Sequence, residues 1–137
     1  DLSYTPFVNH EGQFLILTSH LSAHTGNLIN DSRATVLFIE DESRCEQIYA
    51  RRRLRFQCEA QRFAKETKAW NELIDLFAER FGEIIDTLRT LPDFELFALT
   101  PQGGQWVKGF GKAFDFRGRI HQDVNHLNPK KDSPQRP

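Results

Sequence analysis

Apolar positions along the chain change their period several times, and each change marks an element. Gln13-Phe-Leu-Ile-Leu-Thr-Ser19 is a nearly unbroken apolar run of strand length, as a buried strand requires. Leu2 to Val8 carries β-branched and aromatic residues, and Asn9-His-Glu-Gly12 supplies turn chemistry between the two runs, so the chain is predicted to open with a hairpin. Pro6 lacks an amide donor and favours an edge or the end of pairing. A short helical turn is expected over residues 22–30, with Ser22 as its N-cap and Gly26 and Asn27 where it ends. Asn30-Asp-Ser32 then breaks the chain, and Ala34-Thr-Val-Leu-Phe-Ile39 reads as a fully buried strand.

Residues 51–63 alternate strictly. Leu54, Phe56, Cys58 and Ala60 fall on one face, and Arg53, Arg55, Gln57, Glu59 and Gln61 on the other. A strand this long with a polar second face needs water, a ligand or a partner subunit there. The period then becomes helical: Trp70, Leu73, Ile74, Phe77, Phe81, Ile84, Ile85 and Leu88 recur at three and four, predicting one long amphipathic helix that covers a sheet. Residues 94–100 alternate again, Pro101-Gln-Gly-Gly104 reads as a turn, and residues 105–111 with 112–116 form the last strand pair. About six strands with hairpin-length links, one short helix and one long one predict a mainly β fold, an antiparallel small barrel. Residues 1–127 are expected to form the domain. The stretch 128–137 is too polar and proline-rich to offset its ordering entropy and is expected to be a mobile tail.

Composition narrows the function classes. A chain of 137 residues suits one domain, and a formal net charge of −1 gives no global electrostatic footprint for nucleic acid. Cys45 and Cys58 are the only cysteines, which argues against a disulfide framework and for a reducing cytoplasm. No apolar stretch approaches the roughly 20 residues of a membrane helix. With no methionine and a start that reads as already inside a strand, the chain is expected to be a trimmed piece.

The candidate chemistry is sparse. His20 and His24 stand four apart, a spacing that places both on one helical face. A capped helix start explains Ser22, Gly26 and Asn27 but leaves His24 unexplained. Four arginines in the five positions 51–55 offer guanidinium forks for carboxylates or phosphates of a ligand, for acidic residues across a dimer interface, or simply a solvated basic edge. Asp93 is either a turn carboxylate or the outer partner of a metal-bound imidazole. His121 and His126 lie late in the chain; a heme iron needs only one imidazole, whereas the absence of C-x-x-C and H-E-x-x-H spacing disfavours zinc.

Five blocks, Ser3-Tyr-Thr-Pro-Phe7, Leu21-Ser-Ala-His-Thr-Gly-Asn-Leu28, Val36-Leu-Phe-Ile-Glu-Asp-Glu42, Arg80-Phe-Gly-Glu-Ile-Ile85 and Val107-Lys-Gly-Phe-Gly-Lys-Ala-Phe114, resemble the bacterial heme-utilisation proteins of the HugZ and HutZ type. These lie within the pyridoxamine-phosphate-oxidase-like split barrels, and the resemblance extends to about Leu127. It implies a six-stranded antiparallel split β-barrel of the FMN-binding kind and a homodimer. It further implies that heme binds between the subunits and that the porphyrin is opened with oxygen and an electron donor, with release of iron. His24 resembles the interface histidine, Arg53 the heme-pocket arginine, and Asp93 the carboxylate that bonds the iron-bound histidine of the neighbouring subunit. The family places that histidine a few residues after a His-Leu pair, where this chain has Asn128-Pro-Lys-Lys131. The role passes first to His126 and next to His121; otherwise heme is bound weakly or not at all. Two other classes stand beside a heme-degrading oxygenase. One is a non-catalytic heme carrier. The other is an FMN-dependent oxidoreductase, disfavoured because Ala23 and His24 replace the Arg-Lys pair that grips the flavin phosphate in the broader family.

Overall fold

A computed structural model describes residues 1–117 and, as backbone alone, 123–126. In chain order it contains β1 (Val8–His10), β2 (Gln13–Ser19), α1 (Ala23–Asn30), β3 (Arg33–Ile39), β4 (Arg53–Phe63), α2 (Lys68–Phe81), α3 (Ile84–Leu88), β5 (Phe94–Gly109), β6 (Lys112–Arg117) and β7 (Asp123–His126). The sheet path is β1-β2-β5-β4-β3, with β6 on β5 and β7 on β6. The β1–β2, β2–β5, β5–β6 and β6–β7 registers are all antiparallel. The path does not return to its start, so the expected mainly β, antiparallel split barrel is found and not a closed one. The predicted tail at 128–137 lies outside the described residues. Contacts divide the chain into two compact units, residues 1–34 with 59–100, and 35–58 with the chain from 101 onward.

The first unit is built on the opening hairpin. Glu11 and Gly12 both take positive φ, 50° and 75°, the left-handed pair that matches a two-residue turn to strand twist. His10 thereby pairs with Gln13, and Val8 with Leu15. The strand predicted over residues 2–8 begins only at Val8. Pro6 cannot donate to a ladder, and Phe7 is instead held edge-on to Phe14 at 5.9 Å with the Arg80 guanidinium 5.1 Å from its ring centre. Over the sheet, Trp70, Ile74, Phe77 and Ile85 pack with Val8, Leu15, Leu96 and Ala98 into one buried cluster. Thr67 caps α2 by accepting from the Trp70 amide at 3.2 Å.

The predicted long helix is interrupted. Gly82, with φ +81°, ends α2, and α3 starts two residues later. Glycine is favoured there because it enters the left-handed region without a Cβ clash. The apolar period carries across the break because Ile85 is still delivered to the same core. The short helix spans Ala23–Asn30, matching the expected 22–30; Gly26 and Asn27 lie inside it and not at its end, and Ser22 holds the N-cap position without a side-chain cap bond.

In the second unit β4 keeps its alternation, with Phe56 and Cys58 buried and Arg55 and Gln57 exposed. Phe56 stacks edge-on between Phe38 at 6.1 Å and Phe116 at 5.4 Å. Two expectations fail in this region. The strand over Ala34–Ile39 was expected to be fully buried, yet β3 ends the sheet path and leaves Leu37 50% and Ile39 46% exposed. Residues 101–104 do not turn: β5 runs unbroken for 16 residues through them. The glycines serve close approach instead, since a Cβ at Gly104 would lie 1.8 Å from the Arg55 carbonyl oxygen, and one at Gly103 2.8 Å from that of Phe116.

Gly104→Ala is therefore expected to destabilise the protein by about 1 to 3 kcal/mol through overpacking. Gly26→Ala, within α1 and with nothing inside 4 Å, should instead gain roughly 0.5 to 1 kcal/mol from helix propensity. Urea unfolding of the two variants, compared with the parent, checks both signs.

Candidate functional site

β2 and β5 pair so that Ser19 faces Phe94 and Thr18 faces Glu95. This register brings the residues after β2 against those that open β5, although they are more than seventy positions apart in the chain. The Ser19 hydroxyl donates to Asp93 Oδ2 at 2.8 Å and accepts from the Leu21 amide at 3.0 Å. The His20 amide donates to the Asp93 carbonyl at 2.7 Å. Asp93 Oδ1 receives no hydrogen bond among the described residues. From α1, Thr25, fully buried, donates to the Ser19 carbonyl at 2.6 Å and shares a bond with the Thr18 hydroxyl at 2.6 Å.

One strand position further on, Glu95 is buried and its carboxylate takes a two-pronged bond from Arg62, 2.9 Å from Nε and 2.8 Å from Nη2. His20 Nε2 lies 2.8 Å from Oε1 of the same group. Burial pushes the Glu95 carboxyl up, but the bonds from Arg62 and His20 and the nearby Arg62 and Lys65 charges outweigh it and hold the group below its ordinary range. Lys65 donates to the carbonyls of Leu91 and Pro92. Arg62, Ala64, Lys65 and Glu95 line an open depression of about 420 Å³.

His24, Asp93, Arg53 and His126 meet different fates. His24 sits on α1, half-buried, and its Nε2 is buried without a hydrogen-bond partner among the described residues. An orphaned imidazole nitrogen is costly in a finished core and suits a position completed by something outside the described residues. Asp93 belongs to the same unit; its side chain is bonded to Ser19, and its backbone carbonyl to the His20 amide. Arg53 lies in the second unit, just after Arg51 and Arg52 have been used to hold Glu40. Arg52 forks onto the Glu40 carboxylate, at 2.8 Å from Nε, and Arg51 donates to its carbonyl at 2.9 and 2.8 Å. Arg53 donates only to the Arg51 carbonyl, at 3.0 Å, and has no carboxylate partner among the described residues. His126 ends β7, its backbone opposite Phe114, and His121 is outside the described residues. The Cys58 thiol is pushed up to about 12 by burial and is no nucleophile.

The Arg62–Glu95–His20 cluster is absent from the expectations above. Its signal was a carboxylate on the same strand face as Phe97 and Leu99; a charge at such a position is rarely buried without a partner. The partners themselves depend on a long-range register that periodicity does not specify.

The open antiparallel sheet with its helical cover defines the class of split-barrel proteins. Residues 1–108 match the pyridoxamine 5'-phosphate oxidase family, and the chain belongs to it. It is 40% identical over 127 residues to the heme oxygenase HutZ of Vibrio cholerae, which spans 93% of this chain and 72% of that one. A crystal structure of Vibrio cholerae HutZ, described as a heme storage protein, superposes with a TM-score of 0.72 at 34% identity, covering 89% of this chain and 80% of that one. Campylobacter jejuni ChuZ superposes with a TM-score of 0.78 at 32% identity; 93% of this chain is covered but only about half, 52%, of ChuZ. No helix among the described residues is long and apolar enough to cross a membrane.

Glu95→Gln should lower stability at pH 7 by about 1 to 3 kcal/mol, because it removes charged hydrogen bonds while leaving Arg62 partly exposed to water. A carboxyl held below its unfolded value stabilises the fold above that value, and the contribution fades as pH falls through the folded one. The parent should therefore lose stability as pH drops below the ordinary 4.5, with a shallower loss in the variant. Thermal melts from pH 7 to pH 3 measure the difference.

Proposed function

We propose that this chain is a heme-binding protein of heme iron utilisation that degrades heme with oxygen and an external electron donor, acting in the cytoplasm as a homodimer. The observation that carries the reading is the 40% identity over 93% of the chain to a heme oxygenase. Three structural features agree with it. Among the described residues, His24 presents a buried nitrogen without a partner, one Asp93 carboxylate oxygen receives no hydrogen bond, and Arg53 has no acidic partner. The exposed Leu37 and Ile39 of edge strand β3 favour burial against a second copy.

In this reading His126 holds the iron through a neutral imidazole. Asp93 of the opposite subunit accepts that imidazole's outer N–H on Oδ1, which fixes the ring and raises its basicity. Arg53 offers its guanidinium to the propionates, and His24 stands at the subunit interface. Bound heme supplies the oxidative chemistry; the chain contributes placement, charge and exclusion of water. Flavin is the weaker reading, because Ala23 and His24 stand at the positions where the broader family carries its cationic phosphate grip, each lost bond being worth about 1.5 to 3 kcal/mol.

Titration of the purified protein with heme should give a saturable Soret band near one heme per site, and ascorbate in air should convert bound heme to a bilin with release of iron. Heme that binds but survives this treatment supports a carrier, and a yellow protein on purification supports flavin. Absence of a saturable band overturns the proposal. His126→Ala should abolish the ligated spectrum, and Asp93→Asn should weaken heme binding by about 10- to 100-fold.

A further inference from the structure

We infer that Ser19 is a positioning residue that sets the rotation at which the Asp93 carboxylate meets the iron-bound imidazole, an inference that rests on the role proposed for Asp93 above. A serine hydroxyl has one proton to give. At Ser19 the Leu21 amide donates into the oxygen at 3.0 Å, and the proton goes to Asp93 Oδ2 at 2.8 Å. The direction of that bond is fixed, because a carboxylate can only accept and the amide can only donate.

The hydroxyl cannot easily drift from this position. Its own carbonyl accepts from the Ser22 amide at 3.0 Å and from the buried Thr25 hydroxyl at 2.6 Å, which anchors the Ser19 backbone to the first turn of α1. On the other side, the His20 amide holds the Asp93 carbonyl at 2.7 Å. His20 is itself pinned at its ring by the buried Glu95. Asp93 is thus held at both its backbone and one carboxylate oxygen by two consecutive residues at the end of β2. Rotation about the last carboxylate torsion is otherwise broad and nearly two-fold. With Ser19 bonded to Oδ2, Oδ1 is the carboxylate oxygen that receives no hydrogen bond among the described residues.

Outer partners of metal-bound histidines act by orientation as much as by charge. In Ser19→Ala, then, the carboxylate stays but loses the bond that sets its rotation, and the hydrogen bond to the imidazole weakens. The test compares heme-loaded parent, Ser19→Ala, Ser19→Thr and Asp93→Asn by the iron–histidine stretching band of the ferrous protein in resonance Raman spectra and by the heme midpoint potential. Asp93→Asn should lower the band frequency and raise the potential. Ser19→Ala should move both part of the way in the same direction with a broadened band, and Ser19→Thr, which restores the hydroxyl, should return them to the parent values. If Asp93→Asn shifts both readouts while Ser19→Ala leaves them unchanged or moves them the opposite way, the inference about Ser19 fails and the role of Asp93 survives. If Asp93→Asn shifts neither, both fail together.

Discussion

The pairing of β2 with β5 is the constraint on which the candidate site depends. Its register sets Ser19 opposite Phe94 and Thr18 opposite Glu95, so residues that follow one strand meet residues that open the other. A slip of one position would turn every side chain to the other face. That would move Leu15 and Leu96 out of the core cluster they share with Trp70 and Phe77, and burial of those side chains, each worth about 1.5 to 3 kcal/mol, therefore locks the polar contacts in place. The hydrophobic layer beneath α2 and the hydrogen bonds at Asp93 are consequences of the same alignment.

Charge at this end of the sheet is distributed between two neighbouring carboxylates with opposite fates. Glu95 is buried and fully engaged by Arg62 and His20, which suits a structural ion pair that fixes the path of the chain around it. Asp93 is half-buried, tethered by a single hydroxyl, and keeps acceptor capacity. In the other unit the arginines divide in the same way: Arg51 and Arg52 are used by Glu40, while Arg53 has no carboxylate partner among the described residues. Groups left with unused capacity beside fully satisfied neighbours are where a ligand or a second subunit is accommodated at least cost.

Local periodicity made much of this fold legible. The alternation through 53–63 located β4 and its polar face, the three-and-four spacing from Trp70 to Phe81 located the buried face of α2, and Asn9-His-Glu-Gly12 located the hairpin. Glycine misled where one residue type serves two purposes. Gly103 and Gly104 were expected at a turn, yet they let backbone approach backbone inside a continuous strand, and Gly82 interrupts a helix whose apolar spacing continues beyond it. Leu37 and Ile39 read as buried because composition cannot report that β3 ends the sheet path. Of the candidate site, Asp93 and His24 were visible as individual residues through a family resemblance. Their surroundings were not, because the bonds from Ser19 and His20 to Asp93, and from Arg62 to Glu95, arise from tertiary register and not from any local pattern.

The central claim is that two copies of this chain share each heme, one lending the imidazole and the other the carboxylate. Subunit mixing tests it most directly. Asp93→Asn and His126→Ala proteins, each defective alone, are unfolded together, refolded and loaded with heme. Sites that draw the intact imidazole from one variant and the intact carboxylate from the other should then recover the parent Soret and iron–histidine bands. If the mixture only averages the spectra of its two components, the groups do not meet across a subunit boundary and the account is contradicted.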